Sequence, residues 1–399
     1  MKATVIICEY NPLTFGHIKQ LSSAREETGA DTVICIMSGS FTQRGEAAIL
    51  DKYTRAKLAV QYGADVVIEL PTIYAISPAD NFAFGAMKMI KKIPNVQCVS
   101  FGSECGDINL LLKMKNFMHD EPMDFRTLLR EQIDAGYSYP KAYALTMHAY
   151  AVDHPEYAEI EGILDSPNNA LGISYMKAAE KLSFQVNFHT IRRENNDASD
   201  EMIGEFPSAT SIRKAVRREE FEAIQKHVPE ECYKELIKIK SDGTPLNDLC
   251  LYKLKSVSGY DLEKIYDMDV AGGLHNRIKI AADASVTFPE FLEKAKTKKY
   301  TLSRIKRIAL YALLDITQNI YVQAVDTDPY FNVLAIRKDR KDILTELNDQ
   351  CKNVIVRYAD TNKLSKELKQ LNKLDFQAQG TLNLINRSQN FVKTTIFVD

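Results

Sequence analysis

The stretch "IICEYNPLTFGHIKQL", Ile6 to Leu21, decides how the chain is read. Its first residues are apolar and β-prone, as in a strand buried on both faces. Glu9-Tyr10-Asn11-Pro12 then breaks the run, and a helix pattern starts beyond Thr14-Phe15-Gly16-His17. A helix that opens directly after a parallel strand offers unpaired N–H groups and the positive end of its dipole, which suits a phosphate. Gly16 lets backbone approach a ligand, and Thr14 adds a short hydroxyl. His17 can donate to a phosphate oxygen that gains charge as a bond to phosphorus breaks. Read alone, Gly-His is a capped turn. The strand before it and the helix after it point to a phosphate site.

The surrounding pattern fits that reading. Further strands are expected at 32–37, 65–70, 96–101 and 184–191, all but the last near-continuous apolar runs. Helical patterns separate them at 16–27, 51–62, 79–92, 107–118 and 124–151, with more opening near Ser166-Pro167 and at 208–218. Such alternation predicts an α/β fold, a Rossmann-like, doubly wound, parallel five-stranded sheet with ligands at the carboxyl ends of its strands. Residues 229–325 carry helix periodicity, with "KSDGTPLND" (240–248) as a loop. Strand, helix and strand patterns at 331–336, 339–350 and 353–359 suggest a small α/β addition. The expected division is 1–228 and 229–399.

Composition narrows the class. The 399 residues are 45% hydrophobic with net charge −2, so any nucleic-acid surface must be a local patch. Seven cysteines without a C-x-x-C pair read as thiols in a reducing, cytoplasmic setting rather than as a zinc site. No signal peptide and no membrane span are expected. The remaining histidines show no metal-ligand spacing, and no bound metal site is predicted. "KAKTKKYTLSRIKR" (294–307) holds seven Lys or Arg and no acid. Lys296, Lys299, Arg304, Lys306 and Arg307 could follow a phosphate backbone, or could simply form a solvated face.

The motif around Thr14, Gly16 and His17 resembles the T/H-x-G-H element of nucleotidyltransferases related to class I aminoacyl-tRNA synthetases. Taken with "MSGSFTQRGEAAILDKYTRAKLA" (37–59), "GADVVIELP" (63–71), "FGSECGD" (101–107), "SPNNALGISYMKA" (166–178) and "SATSIRKA" (208–215), the chain resembles the bacterial tRNA(Met) cytidine acetate ligase family. The resemblance runs through 1–220, resumes at 272–278 and 296–307, and is weak beyond about 360. That family usually reads N-P-F-H-N-G-H where this chain has Thr14.

The resemblance implies a nucleotidyltransferase domain followed by a mainly helical, tRNA-binding one. It implies activation of acetate by ATP as acetyl-adenylate, then transfer to the wobble cytidine of elongator tRNA(Met), with release of pyrophosphate and AMP. Mg²⁺ would arrive on the phosphates, with Glu9 and Asp107 as helpers. The ATP site would map onto Ile7, Cys8, Glu9, Tyr10, Asn11, Pro12, Leu13, Thr14, Phe15, Gly16, His17, Ile18, Lys19 and Gln20, with His17 and Thr14 catalytic. Gly102 would pass the adenine or ribose, and Asn169, or its neighbour Asn168, would bond the nucleotide. Arg192 and Arg193 would reach phosphates. Ser208 or Thr210 would cap a helix facing the β- and γ-phosphates, with Arg213 one turn on. Gln43 and Arg44 are candidates for the acetate or cytidine pocket. Two other readings share the phosphate site: an adenylyltransferase acting on a small phosphorylated metabolite, and a nucleotide-sensing RNA-binding protein without catalysis. Oligomeric state is left open.

Overall fold

A computed structural model describes residues 1–193, 207–239, 244–392 and 394–399. The five expected strands form: β1 (Ala3–Cys8), β2 (Thr32–Ser38), β3 (Val66–Leu70), β4 (Val96–Ser103) and β5 (Asn187–Arg192). All five are parallel, in the order β5-β4-β1-β2-β3. The chain winds one way from β1 to β3 and the other way from β4 to β5. The reversal falls between β1 and β4, where a doubly wound sheet opens its ligand crevice.

Alternate side chains of the central strands feed two cores. Val5, Ile7, Ile34, Ile36 and Ile68 pack on one face, and Ile6, Cys8, Val33, Cys35 and Met37 on the other. Burial on both sides explains why these strands are apolar throughout rather than alternating. Helices α1 (Phe15–Glu26) and α2 (Lys52–Gln61) cover the second face; α3 (Ala79–Ile90) and α4 (Pro167–Lys181) cover the first. Helix α5 (Ala209–Arg217) joins the α1 side through Ile212, Ala215 and Val216.

The sheet does not stop at the expected boundary. Strand β6 (Phe331–Arg337) adds to β3 antiparallel, and β7 (Val354–Ile355) and β8 (Ile396–Val398) pair with β6. The addition near the C-terminus therefore extends the nucleotide-side sheet instead of standing beside the helices. Between the two lie the helices of 244–326, among them α6 (Leu302–Leu313). Their apolar faces continue the first core without a break. Tyr311 Oη donates to the Ile76 carbonyl at 2.5 Å and Tyr74 Oη to that of Ala324 at 2.6 Å, tying both parts together.

Several local expectations are corrected. The pattern at 124–151 is two helices, Met123–Asp134 and Tyr139–Asp153, because Gly136 turns the chain at φ +86°. The expected loop at 240–248 is helical from Thr244, and 240–243 lie outside the described residues. Only Val354 and Ile355 of 353–359 are strand. Asp360 accepts the N–H groups of Val356 and Arg357, and the chain curls into a 3₁₀ turn over Tyr358–Lys363. The sequence reading did not single out α7 (Lys366–Ile385), whose Asp375 and Gln379 are buried against the loops after β3 and β2. Among the described residues, no helix is long and apolar enough to cross a membrane.

Candidate active site at the first helix

A cavity of about 220 Å³ opens at the carboxyl ends of β1 and β4, the crevice the topology leaves. Tyr10, just past β1, is fully buried at φ +44°, its hydroxyl 3.5 Å from the Cys35 sulfur. Its ring lies 5.1 Å from that of His17, centroid to centroid. Burial thus holds Tyr10 in a backbone region a non-glycine residue seldom occupies, and the loop before α1 takes its shape from that.

Thr14 caps α1 in extended conformation. Its backbone N–H donates to His17 Nδ1 at 3.1 Å, and its Oγ1 stands 3.1 Å from the same atom. The amide can only donate, so Nδ1 accepts, and neutral His17 carries its proton on Nε2. Thr14 therefore sets the tautomer in which Nε2 is the donor of the imidazole. The Gly16 N–H has no hydrogen-bond partner among the described residues. It remains one of the orphan donors expected of a helix start.

A second cavity shares His17, Gln20, Gly102, Arg193 and Ala209 with the first and adds Thr14, Gly16, Lys19, Arg192 and Ser208. The two helix starts, of α1 and α5, thus border two adjoining cavities. Ser208 caps α5 by accepting the Ser211 N–H at 3.1 Å. Arg213 is buried; it donates to the Asn11 carbonyl at 2.7 Å and to Thr210 Oγ1 at 3.2 Å. Burial lowers its pKa from the usual arginine value, partly offset by Glu46 and Glu9. Its guanidinium both braces the turn after β1 and borders the cavity. Gly102 makes room for Arg193: a Cβ there would lie 2.9 Å from the Arg193 Cγ.

Most of the expected residues meet here. Ile7, Cys8, Glu9, Tyr10, Asn11, Thr14, Gly16, His17, Lys19, Gln20, Gly102, Arg192, Arg193, Ser208, Thr210 and Arg213 line the space, as do Gln43 and Arg44. Pro12, Leu13, Phe15 and Ile18 do not: Leu13 is buried in the core behind α1, and Phe15 faces outward. Asn169 is buried away from the cavity. Its Oδ1 accepts from Glu104 N and Cys105 N at 2.9 and 3.1 Å, and its Nδ2 donates to the Ile163 carbonyl. Asn168 lines the cavity instead, with Glu104 accepting from its amide at 2.8 Å.

The lining residues that were missed include four large apolar ones, Phe82, Phe101, Leu171 and Tyr175. They give the cavity an apolar wall of the kind a base needs. A sequence signal existed for two of them, since Asn168, Leu171 and Tyr175 fall at i, i+3 and i+7 on α4.

Among the described residues, Glu9 is the sole acidic side chain lining either cavity. Burial raises its pKa, opposed by the Gln43 N–H and by Arg213, Arg55 and Arg44. Asp107 spends its carboxylate capping the helix Ile108–His119. No group of three potential metal ligands occurs among the described residues.

The basic segment lies elsewhere. Lys296 and Lys299 are surface residues paired with Glu293 and Asp269 at 3.1 and 2.8 Å. Arg304, Lys306 and Arg307 turn inward. Arg304 pairs with Asp267 at 3.1 Å and Lys306 with Glu46 at 2.8 Å. Arg307 stands 3.9 Å from Asp267 and 3.5 Å from the Gln43 carbonyl. Three of the five expected phosphate contacts are therefore committed to internal partners.

Comparison with known proteins agrees with this architecture. Residues 1–395 match the family described as HIGH Nucleotidyl Transferase. A tRNA(Met) cytidine acetate ligase from Caldanaerobacter subterraneus subsp. tengcongensis is 37% identical over 89% of this chain and 88% of its own. One from Clostridium perfringens is 34% identical over 97% and 96%. The crystal structure of Thermotoga maritima TmcAL superposes with TM-score 0.89 at 29% identity, covering both chains fully. The same protein bound with alpha-thio ATP gives 0.88 at 28%. The chain belongs to the tRNA(Met) cytidine acetate ligase family of HIGH-type nucleotidyltransferases.

Proposed function

We propose that the protein is an ATP-dependent, AMP-forming ligase that acetylates the wobble cytidine of elongator tRNA(Met). The observation that carries this is the mouth of α1. His17 has its Nδ1 occupied by the Thr14 amide, so its Nε2–H serves as donor beside the Gly16 N–H, at the β1/β4 crevice. The names of the relatives and the nucleotide in the Thermotoga maritima structure support the same reading.

In the first step an acetate oxygen attacks the α-phosphorus of ATP. The bond to the β-phosphate bridge breaks and pyrophosphate leaves. His17, the amides at the starts of α1 and α5, and Arg213 stabilise the charge that develops. The purine rests on the wall of Phe82, Phe101, Leu171 and Tyr175. In the second step the cytidine N4 attacks the acetyl carbonyl, the bond to AMP breaks and N4 loses a proton. Acetate alone is a poor acyl donor, and the adenylate supplies the leaving group it lacks. Placement and charge stabilisation then suffice. Mg²⁺ on the triphosphate would neutralise phosphate charge, with Glu9 the one acidic side chain among the described residues that lines the site.

Residues 1–228 are assigned to activation and 229–399 to tRNA, with Lys296 and Lys299 as its phosphate contacts. The test is incubation with ATP, labelled acetate and an unmodified tRNA(Met) transcript. Label in N4-acetylcytidine, with pyrophosphate release that depends on acetate and rises with tRNA, is the expected result. Release that needs a phosphorylated metabolite, or none at all, refutes it.

A further inference from the structure

The loop between β2 and α2 is braced from three sides. Phe41 pairs with Ala47, Thr42 N donates to the Glu46 carbonyl at 2.9 Å, and Gly45 N to that of Thr42 at 2.9 Å, so the loop is closed on itself. On the sheet side the Gln43 N–H bonds Glu9 Oε1 at 2.8 Å. On the helical side Gly45, at φ +72°, presses on α6: a Cβ there would lie 2.8 Å from the Arg307 nitrogen. Glu46 spans the remaining gap. One carboxylate oxygen takes Lys306 at 2.8 Å, and the other stands 3.9 Å from Arg213.

At the tip of this braced loop sits Arg44, exposed and lining the cavity. It makes no hydrogen bond or ion pair with the described residues, unlike Arg213 and Arg55, whose guanidinium groups are spent on carbonyls. A buttress this complete around an uncommitted cation is hard to explain by folding alone.

We propose that Glu46 is a positioning residue: by bridging Lys306 of α6 and Arg213 of α5, it fixes the loop so that the Arg44 guanidinium meets the carboxylate of the acyl substrate. The inference rests on the reading of the site as an acetate-activating one. A two-carbon acid offers little surface to grip, so a charge-assisted contact at its carboxylate carries most of its recognition. Such a contact is directional, and a small displacement of the guanidinium forfeits it. Lys306 thereby joins the helical part of the chain to the acyl end of the site.

The test measures acetate-dependent ATP–pyrophosphate exchange against acetate concentration, and binding of alpha-thio ATP, on the full chain. Glu46→Gln and Lys306→Met should each raise the acetate KM about tenfold, the scale of one charge-assisted contact, with nucleotide affinity changed by less than about twofold and only a small drop in melting temperature. Lys306→Arg should restore the wild-type KM, and the double variant should be no worse than either single one, since both break one bridge. Arg44→Gln, at an exposed position, should reproduce the same KM change. An acetate KM unmoved in Glu46→Gln, or one that moves only together with nucleotide affinity and melting temperature, overturns the proposal while leaving the ligase reading intact. Absence of acetate-dependent exchange in the unsubstituted protein overturns that reading and this inference with it.

Discussion

The mouth of α1 and the segment 294–307 both present themselves in the sequence as places for phosphate, and the fold treats them in opposite ways. At α1, donors are aimed into a cavity: the Gly16 N–H is unpartnered among the described residues, and the imidazole of His17 is oriented from behind by Thr14. In 294–307, Arg304, Lys306 and Arg307 are tied to Asp267, Glu46 and the Gln43 carbonyl. The contrast teaches that a backbone-defined helix start survives folding because its geometry is local. A run of long cations binds whatever acids the tertiary structure brings near.

The sharpest way to break the comparison is His17→Ala. Loss of a donor aimed at the developing charge should cut acetate-dependent exchange about 10²- to 10³-fold, with the melting temperature nearly unchanged. Exchange at wild-type rate would deny α1 its role. Next comes Asp267→Ala, which leaves Arg304 and Arg307 without their shared carboxylate in a largely buried setting. Denaturant unfolding should reveal a loss of about 1–3 kcal/mol. Unchanged stability would release both arginines for tRNA.

Removing Lys296 and Lys299 together should do the reverse. Their ion pairs are exposed, so stability should change by less than about 0.5 kcal/mol. The salt slope of tRNA binding should fall by about two, one per phosphate contact. An unchanged slope would move the tRNA surface elsewhere.

The last prediction is a pH dependence and concerns α7. Burial, with Glu69 nearby, raises the Asp375 pKa to about 7, because Lys52 alone cannot neutralise two buried carboxylates. The folded state then keeps a proton that the unfolded chain releases from pH 3.8 upward. This contribution to stability therefore declines as pH rises toward about 7 and is flat above it. Asp375→Asn should remove that part of the pH slope, as read from melting temperature between pH 5 and 8.

How much was legible follows from the range of the interactions involved. The helix starts at Thr14 and Ser208 were legible because capping and phosphate geometry depend on adjacent residues. The choice between Asn168 and Asn169 was not. It turns on Glu104, more than sixty residues away in sequence, which accepts the amides of both and whose own N–H is taken by Asn169. The apolar wall escaped notice for a related reason: Phe82 and Phe101 reach the cavity from separate elements, and their types alone mark only core.

By itself, the sequence determined the five parallel strands, their doubly wound order of appearance and the capped start of the first helix. All are consequences of apolar patterning and local hydrogen-bonding that no distant residue can overrule. Tertiary structure decided the rest. It carried β6 to β8 back onto the edge of the same sheet, and it turned three cations of 294–307 inward. It also set α6 against the loop at Gly45. Each outcome depends on which surfaces meet across hundreds of residues, where competition among many acceptable partners is settled only by packing the whole chain.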